Sequence, residues 1–274
     1  MNKKQFNPIE NKSDSIKNGN KLQSPMHKTD TSVALNPEDI QLFTQTDLDT
    51  GFEGTDIQTF KTPFLRILQT LSPELKKSDP KFISNAEEGM FCNSATQECY
   101  EQISIIVLKI EHSLIIWKPD RGGFIGRYPK FKEEEIVSSR DGLYKFDAEG
   151  NSIIDTIEFY CLNLKNPLDI FIFPMSTASL KHAKSFATRL RMLKVQGKPV
   201  GVSWAGIWNI DTVEESNDKG SWFTIGSTPE FVRLITKEER NNWVFPAKEM
   251  LKNATTDYST IDAAKDQEDQ ATAF

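Results

Sequence analysis

The chain has 274 residues, 38% of them hydrophobic and 10% aromatic, enough to bury the core of one large domain or two small ones. Its formal net charge is −6, and its 3 cysteines (Cys92, Cys99 and Cys161) are too few for a disulfide scaffold, so a reducing, cytoplasmic setting is expected. No window approaches the roughly 20 apolar residues of a membrane span, and the polar N-terminus has no apolar core of a secretion signal.

Residues 1–50 are rich in Asn, Lys, Ser, Asp, Thr and Gln without periodic apolar spacing, and read as a disordered, mildly basic tail. Residues 51–250 read as the folded domain. Thr62-Pro63 supplies a helix start, and Phe64, Leu65, Ile67, Leu68 and Leu71 predict a short buried helix behind it. Ser72-Pro73-Glu74 repeats the start signal for one more turn. Residues 102–108 and 113–118 are rich in Ile and Val, which predicts two strands or one long bent strand. Between Arg121 and Tyr128, three glycines predict a loop or hairpin with arginines at both ends. Residues 132–151 are charged and turn-rich, an excursion from the core. Residues 152–164 read as a strand, Asn166-Pro167 as its turn and residues 169–173 as its partner.

Residues 176–198 then predict the longest helix of the domain. Leu180, Ala183, Phe186, Ala187, Leu190 and Leu193 fall on one side of the wheel, and Lys181, Lys184, Arg189 and Arg191 on the other, with Lys194 near the border. Ser176 or Thr177 caps the start, and Gly197 followed by Pro199 stops it. No Asp or Glu occurs between residues 170 and 210, although the chain as a whole is acidic. His182, between lysines, reads as a surface residue. Residues 200–210 are strand-like and carry Trp204 and Trp208, which share a face if the segment is extended. A turn at residues 216–220 leads to a strand at 221–225, and Thr228-Pro229-Glu230 predicts a C-terminal helix to about residue 242. Short strands, glycine turns and one interposed helix suit a β-rich α+β fold, an OB-fold-like barrel with insertions and peripheral helices.

After Lys252, in the tail taken as residues 251–274, the apolar pattern stops. Asp257, Asp262, Asp266, Glu268 and Asp269 are opposed only by Lys265, and the chain ends on Phe274. An acidic segment tipped by an aromatic ring suits capture in a small basic pocket, so Asp266, Glu268, Asp269 and Phe274 are the candidate partner-binding residues. Such a tail can also lie over the basic surface of its own chain and compete with an acidic ligand.

This combination resembles bacteriophage single-stranded DNA-binding proteins. The tail is similar to those of phage and bacterial members, which dock replication partners through acidic C-termini ending in Phe. In the body, the matching stretches are Pro63-Phe64-Leu65-Arg66-Ile67-Leu68-Gln69 with Leu71-Ser72-Pro73, then Trp117-Lys118-Pro119 before Gly122-Gly123. Ser176-Thr177-Ala178-Ser179-Leu180-Lys181 and residues 215–222 match as well. The resemblance spans residues 52–226 plus the tail. It implies coating of single strands in phage replication or recombination, and recruitment of a polymerase, primase-helicase or nuclease of phage or host. A homo-oligomer is compatible with it. It assigns no individual DNA-contacting residue.

The contact residues are therefore chosen on physical grounds. Sequence-tolerant strand binding combines cations that track phosphates with rings on which bases stack. The cations are Lys181, Lys184, Arg189, Arg191 and Lys194, with Arg121 and Arg127 beside the glycines. The rings are Trp117, Phe124, Tyr128, Trp204, Trp208 and Trp222, with Phe124 and Tyr128 expected to be the exposed pair. Two rival readings are an interaction or virion protein whose basic face meets an acidic protein, and a DNA-processing enzyme with a dispersed carboxylate site. Enzyme motifs are missing: Gly126 is followed by Arg127-Tyr128 where a P-loop needs Lys-Ser/Thr, and no Rossmann glycine fingerprint is present. Pro119-Asp120 lacks the second half of a restriction-nuclease motif. Cys92, Cys99 and His112 fall short of the four ligands of a structural zinc site. We expect no enzyme activity, cofactor or metal.

Overall fold

A computed structural model describes residues 63–119, 123–166, 169–218, 220–226 and 229–252. The fold is organised on two long antiparallel strands. In chain order the strands are β1 (Leu65–Ile67), β2 (Phe91–Asn93), β3 (Cys99–Tyr100), β4 (Ile103–Trp117), β5 (Phe124–Pro129), β6 (Ser139–Asp141), β7 (Tyr144–Phe146), β8 (Ser152–Asn163), β9 (Ile170–Ser176), β10 (Lys194–Val195), β11 (Lys198–Pro199), β12 (Gly206–Ile210), β13 (Thr212–Asn217), β14 (Gly220–Ile225) and β15 (Glu230–Leu234). β4 and β8 pair along most of their length, from Ile105↔Asn163 to Trp117↔Ser152. The outer edge of β4 takes β12 along its first half and β5 along its second. The outer edge of β8 takes β9 and β7.

The bend expected within residues 102–118 is a bulge between Val107 and Lys109, which lets one continuous strand serve both halves. Side-chain alternation gives this pair two faces. On the first, Ile105, Val107, Phe159, Phe173 and Trp208 meet Ala183, Phe186 and Leu190 of the basic helix (Leu180–Met192). Further along the same face, Leu114, Ile116 and Ile153 are covered by Ile136 and Val137 of the excursion. On the second face, Ile106, Leu108, Leu162 and Ile207 meet Val244 and Ala247 of the C-terminal helical segment. Phe64, Ile115, Trp117, Tyr160 and Ile172 continue that layer.

Three expectations are corrected. No closed barrel forms among the described residues: strand pairing leaves an eight-stranded sheet, a three-stranded sheet β1-β2-β3 and two hairpins. The run after Pro63 is a strand, because Phe64 bridges Ile172 and β1 pairs β2; a short apolar run has no periodicity to distinguish strand from helix. The segment after Pro229 is also a strand, β15, paired with β12. The true helix start lies at Thr236, whose hydroxyl accepts from the Glu239 amide while the Glu239 carboxylate accepts from the Thr236 amide, a reciprocal cap. Both tails, the N-terminal and the acidic C-terminal, lie outside the described residues. Among the described residues, no helix is long and apolar enough to cross a membrane.

Candidate nucleic-acid interface

The basic helix buries His182, Ala183, Phe186 and Leu190, close to the predicted stripe. His182 is the exception: its Nε2 lies 2.9 Å from Glu215 on β13, and Lys181 bridges the other oxygen of the same carboxylate at 3.0 Å. Burial opposes ionisation of Glu215, but the Lys181 hydrogen bond and His182 outweigh it and hold its carboxyl below the usual range. Lys181 is therefore partly neutralised. Arg189 is half-buried, with its guanidinium carbon 5.6 Å above the ring of Trp208.

Lys184, Arg191, Lys194 and Lys198 are exposed and make no ion pair among the described residues. Lys194 and Lys198 stand on a two-residue hairpin that follows the helix. Its central residues, Gln196 and Gly197, both have positive φ (51° and 78°), the backbone of a type I′ turn. The helix is therefore shorter than the expected 176–198: it starts after a 3-10 turn at Thr177–Ser179, ends at Met192, and leaves residues 194–199 to the hairpin.

The second predicted cation cluster has a different environment. Arg121 lies outside the described residues. Arg127 projects from β5 onto the second face, opposite to the helix, because it pairs with Ile115. Its Nε donates to both oxygens of Glu158 at 3.0 and 2.9 Å, and its Nη2 reaches Glu111 and Glu158. Glu158 is fully buried and also accepts from the Ser113 hydroxyl. Burial opposes the charge of Arg127, but hydrogen bonding to Glu158 overrides it and raises the guanidinium pKa. Arg127 is thus a structural cation with no charge left for a phosphate.

Most of the tryptophans are core. Trp117 and Trp222 are buried, the first edge-on to the half-buried Phe124 at 5.7 Å and the second against Ala178. Trp204 and Trp208 do not share a face. Trp208 packs on Phe186 and Phe231 in the first-face core. Trp204 lies in a 3-10 turn (Ser203–Ala205) on the second face, against Phe245. Of the predicted rings only Tyr128 is exposed, at 39%. It pairs with Leu114, so it projects from the same face as the basic helix, with its ring over Gly126, where a Cβ would come within 3.1 Å.

Four exposed rings escaped sequence reading: Phe82, Phe245 and, most exposed, Phe131 at 82% and Tyr144 at 57%, with Leu143 beside it. The last two rings belong to the excursion that covers the far half of the same face, but Tyr144 projects to the second face, because its neighbour Lys145 pairs with Ile153 and takes the first. The scaffold of the excursion is a cluster of ion pairs. Lys130 and Lys145 each contact Glu133 and Asp155, Arg140 contacts Glu133, and His112 approaches Asp155 at 3.3 Å. Hydrogen bonds from Lys130 and then Lys145 hold the Glu133 carboxyl down at about 2. Burial opposes ionisation of Asp155, but His112, Lys130 and Lys145 also depress it. Glu133 and Asp155 are therefore answered, while Lys184 and Arg191 of the helix are not, among the described residues. An apolar, polar-edged cavity of about 340 Å³ lies elsewhere, lined by Tyr100, Gln102, Ile103, Ser104, Asn163, Leu164 and Lys165. Among the described residues no three His, Cys, Asp or Glu side chains are placed to hold a metal ion.

No curated protein and no solved structure matches the chain. A family model does, over residues 29–264, which includes every described residue. On that match the chain belongs to the Pam3 phage gp34-like protein family, and is a phage protein.

Proposed function

We propose that the protein binds single-stranded DNA without catalysing a reaction on it, in phage replication or recombination. One observation carries this reading: the unanswered cations Lys184, Arg191, Lys194 and Lys198 lie on the same sheet face as the exposed ring of Tyr128, with the exposed Phe131 at the start of the excursion that covers the far half of that face. The cations track phosphates and the rings stack bases, each stacked base contributing on the order of 1–3 kcal/mol. Arg127, Trp117, Phe124, Trp204 and Trp222 are assigned to the scaffold instead. The tail residues Asp266, Glu268, Asp269 and Phe274 act as the detachable recruiting element for a replication protein. They lie outside the described residues.

The test is a gel-shift series with oligo-dT and duplex of equal length at rising salt. The reading expects preference for the single strand and affinity that falls with salt. Equal affinity for duplex, or no binding at low salt, overturns it. Salt-sensitive binding to an acidic protein without DNA binding would support the interaction-protein reading. Deleting residues 266–274 leaves DNA affinity equal or higher and abolishes partner recruitment; weaker DNA binding in that deletion contradicts the competing role of the tail.

A further inference from the structure

Cys92 and Cys99 lie near Arg66 and Glu74 and play no part in the binding just described. They stand directly opposite each other across β2 and β3. The rung they occupy decides what they can do. The Asn93 amide donates to the Glu98 carbonyl at 2.9 Å and the Gln97 amide to the Asn93 carbonyl at 2.9 Å, so the neighbouring rung is hydrogen-bonded. The residues flanking Cys92 at two-residue spacing bond the other way, toward β1. Met90 accepts from the Leu68 amide, and the Ser94 amide donates to Phe64. Cys92 and Cys99 therefore fall on a non-hydrogen-bonded rung, where paired Cα atoms are about 4.5 Å apart and the side chains lie closest. That spacing lies inside the range of roughly 4.4–6.8 Å that a disulfide accepts.

We propose that Cys92 and Cys99 form a redox modification site, closing to a cross-strand disulfide on reaction with a small-molecule disulfide such as oxidised glutathione. Both cysteines are free thiols in the structure, Cys92 buried and Cys99 half-buried, so an oxidant meets Cys99 first. The Cys92 thiol donates to the Asn93 carbonyl and the Cys99 thiol to the Gln97 carbonyl, each at 3.9 Å, so neither sulfur is held by a side chain. Interaction between the two facing thiols lowers the pKa of Cys99, and together with burial it raises that of Cys92, so Cys99 is the readier thiolate. The Cys99 thiolate attacks one sulfur of the oxidant, breaks its S–S bond, expels one glutathione thiolate and becomes a mixed disulfide. Cys92 then loses its proton to water and attacks Cys99 Sγ, expelling the second glutathione thiolate. Two protein thiols are oxidised and one glutathione disulfide is reduced to two thiols. The new bond closes residues 92–99 into a ring that fixes the turn carrying Asn93, whose side chain donates to Asp169 at 3.1 and 3.3 Å. Cys161, fully buried on β8, has no such partner rung, since it opposes Val107 and Phe171.

The full chain is incubated natively with oxidised glutathione, then denatured for thiol counting and digested without reduction. The expected thiol count falls from three to one. A glutamyl endoproteinase cuts after Glu98, between the two cysteines, so the fragments stay joined until reductant is added. Cys92→Ser is expected to stop at one glutathione on Cys99, and Cys99→Ser to stay unmodified at Cys92. Three remaining thiols, a persistent glutathione adduct on the unsubstituted chain, or a crosslink to Cys161 would each overturn the proposal.

Discussion

Two stretches of this chain look alike as sequence, and the fold treats them in opposite ways. Both the basic helix and the segment from Arg121 to Tyr128 bring arginine or lysine close to aromatic residues. On the helix, Lys184 and Arg191 point to solvent and meet no carboxylate among the described residues. On β5, Arg127 turns inward to Glu158 and Glu111, on the opposite face of the sheet. The difference arises from strand pairing. β8 carries a buried glutamate about 30 residues beyond Arg127 in sequence; both project from the second face, and the long arginine side chain reaches across β4 to it. A cation is available for a ligand only when the fold supplies no acid, and residues 170–210 contain none.

The largest expected effect tests the buried side of this contrast. Arg127→Ala leaves Glu158 charged, fully buried and short of its main partner. Removing one partner of a buried pair costs about 3–5 kcal/mol. Urea unfolding is expected to show that loss, while the protein that remains folded binds oligo-dT as before. A loss below about 1 kcal/mol, or a folded variant with weakened DNA binding, would move Arg127 back among the ligand-facing cations.

Local patterns in the sequence were sufficient for much of this fold. The 3.6-residue stripe located the helix, and alternating and β-branched runs located β4, β8 and β9, but Gly197-Pro199 marked a hairpin turn rather than the helix stop, which lies at Met192. Pairing was not legible. Phe64–Ile67 and Glu230–Leu234 become strands because partners distant in sequence supply their hydrogen bonds. The same limit governed the site. Nothing local to Trp117, Trp208 or Trp222 reveals that each is sealed by packing, and nothing local to Phe131 or Tyr144 reveals that they are left outside. The one available hint was their position in a charged, turn-rich insertion, where an aromatic side chain has little apolar surface to pack against.

The exposed side of the contrast is tested next. In a combined Lys184→Ala, Arg191→Ala and Lys194→Ala variant, three phosphate contacts are lost. With a slope near −0.7 per contact, the salt dependence of single-strand affinity is expected to flatten by about 2, and affinity near 0.1 M salt to fall about 100-fold. Melting temperature should stay unchanged, since none of the three makes an ion pair among the described residues. Smaller effects are expected from the rings. Tyr128→Ala or Phe131→Ala alone removes one stacking platform, a loss of about 1–3 kcal/mol in affinity with little change in salt slope, whereas Tyr144→Ala, on the opposite face, leaves affinity unchanged. Loss of affinity in Trp117→Ala or Trp222→Ala without loss of stability would reverse the assignment of rings.

The smallest effect comes from pH, and it separates the two ends of the shared face. Glu133 is anchored by Lys130, Lys145 and Arg140, and its folded pKa is about 2, well below the ordinary value near 4.5. A depressed carboxyl stabilises the fold fully above its unfolded pKa, and that contribution is lost as pH falls toward the folded value. Between about pH 4.5 and 2 the excursion should therefore loosen, exposing Leu114 and Ile116 beneath Ile136 and Val137. Lys184, Arg191 and Lys194, at the other end, have no paired carboxylate among the described residues to titrate. A Glu133→Gln variant should show a shallower fall in melting temperature across that window than the unsubstituted chain, with Asp155 supplying the remaining acid sensitivity through its own depressed carboxyl. Identical acid profiles for the two proteins would mean that the excursion is held by its apolar underside alone, and that Phe131 and Tyr144 are positioned by packing rather than by the Glu133 ion pairs.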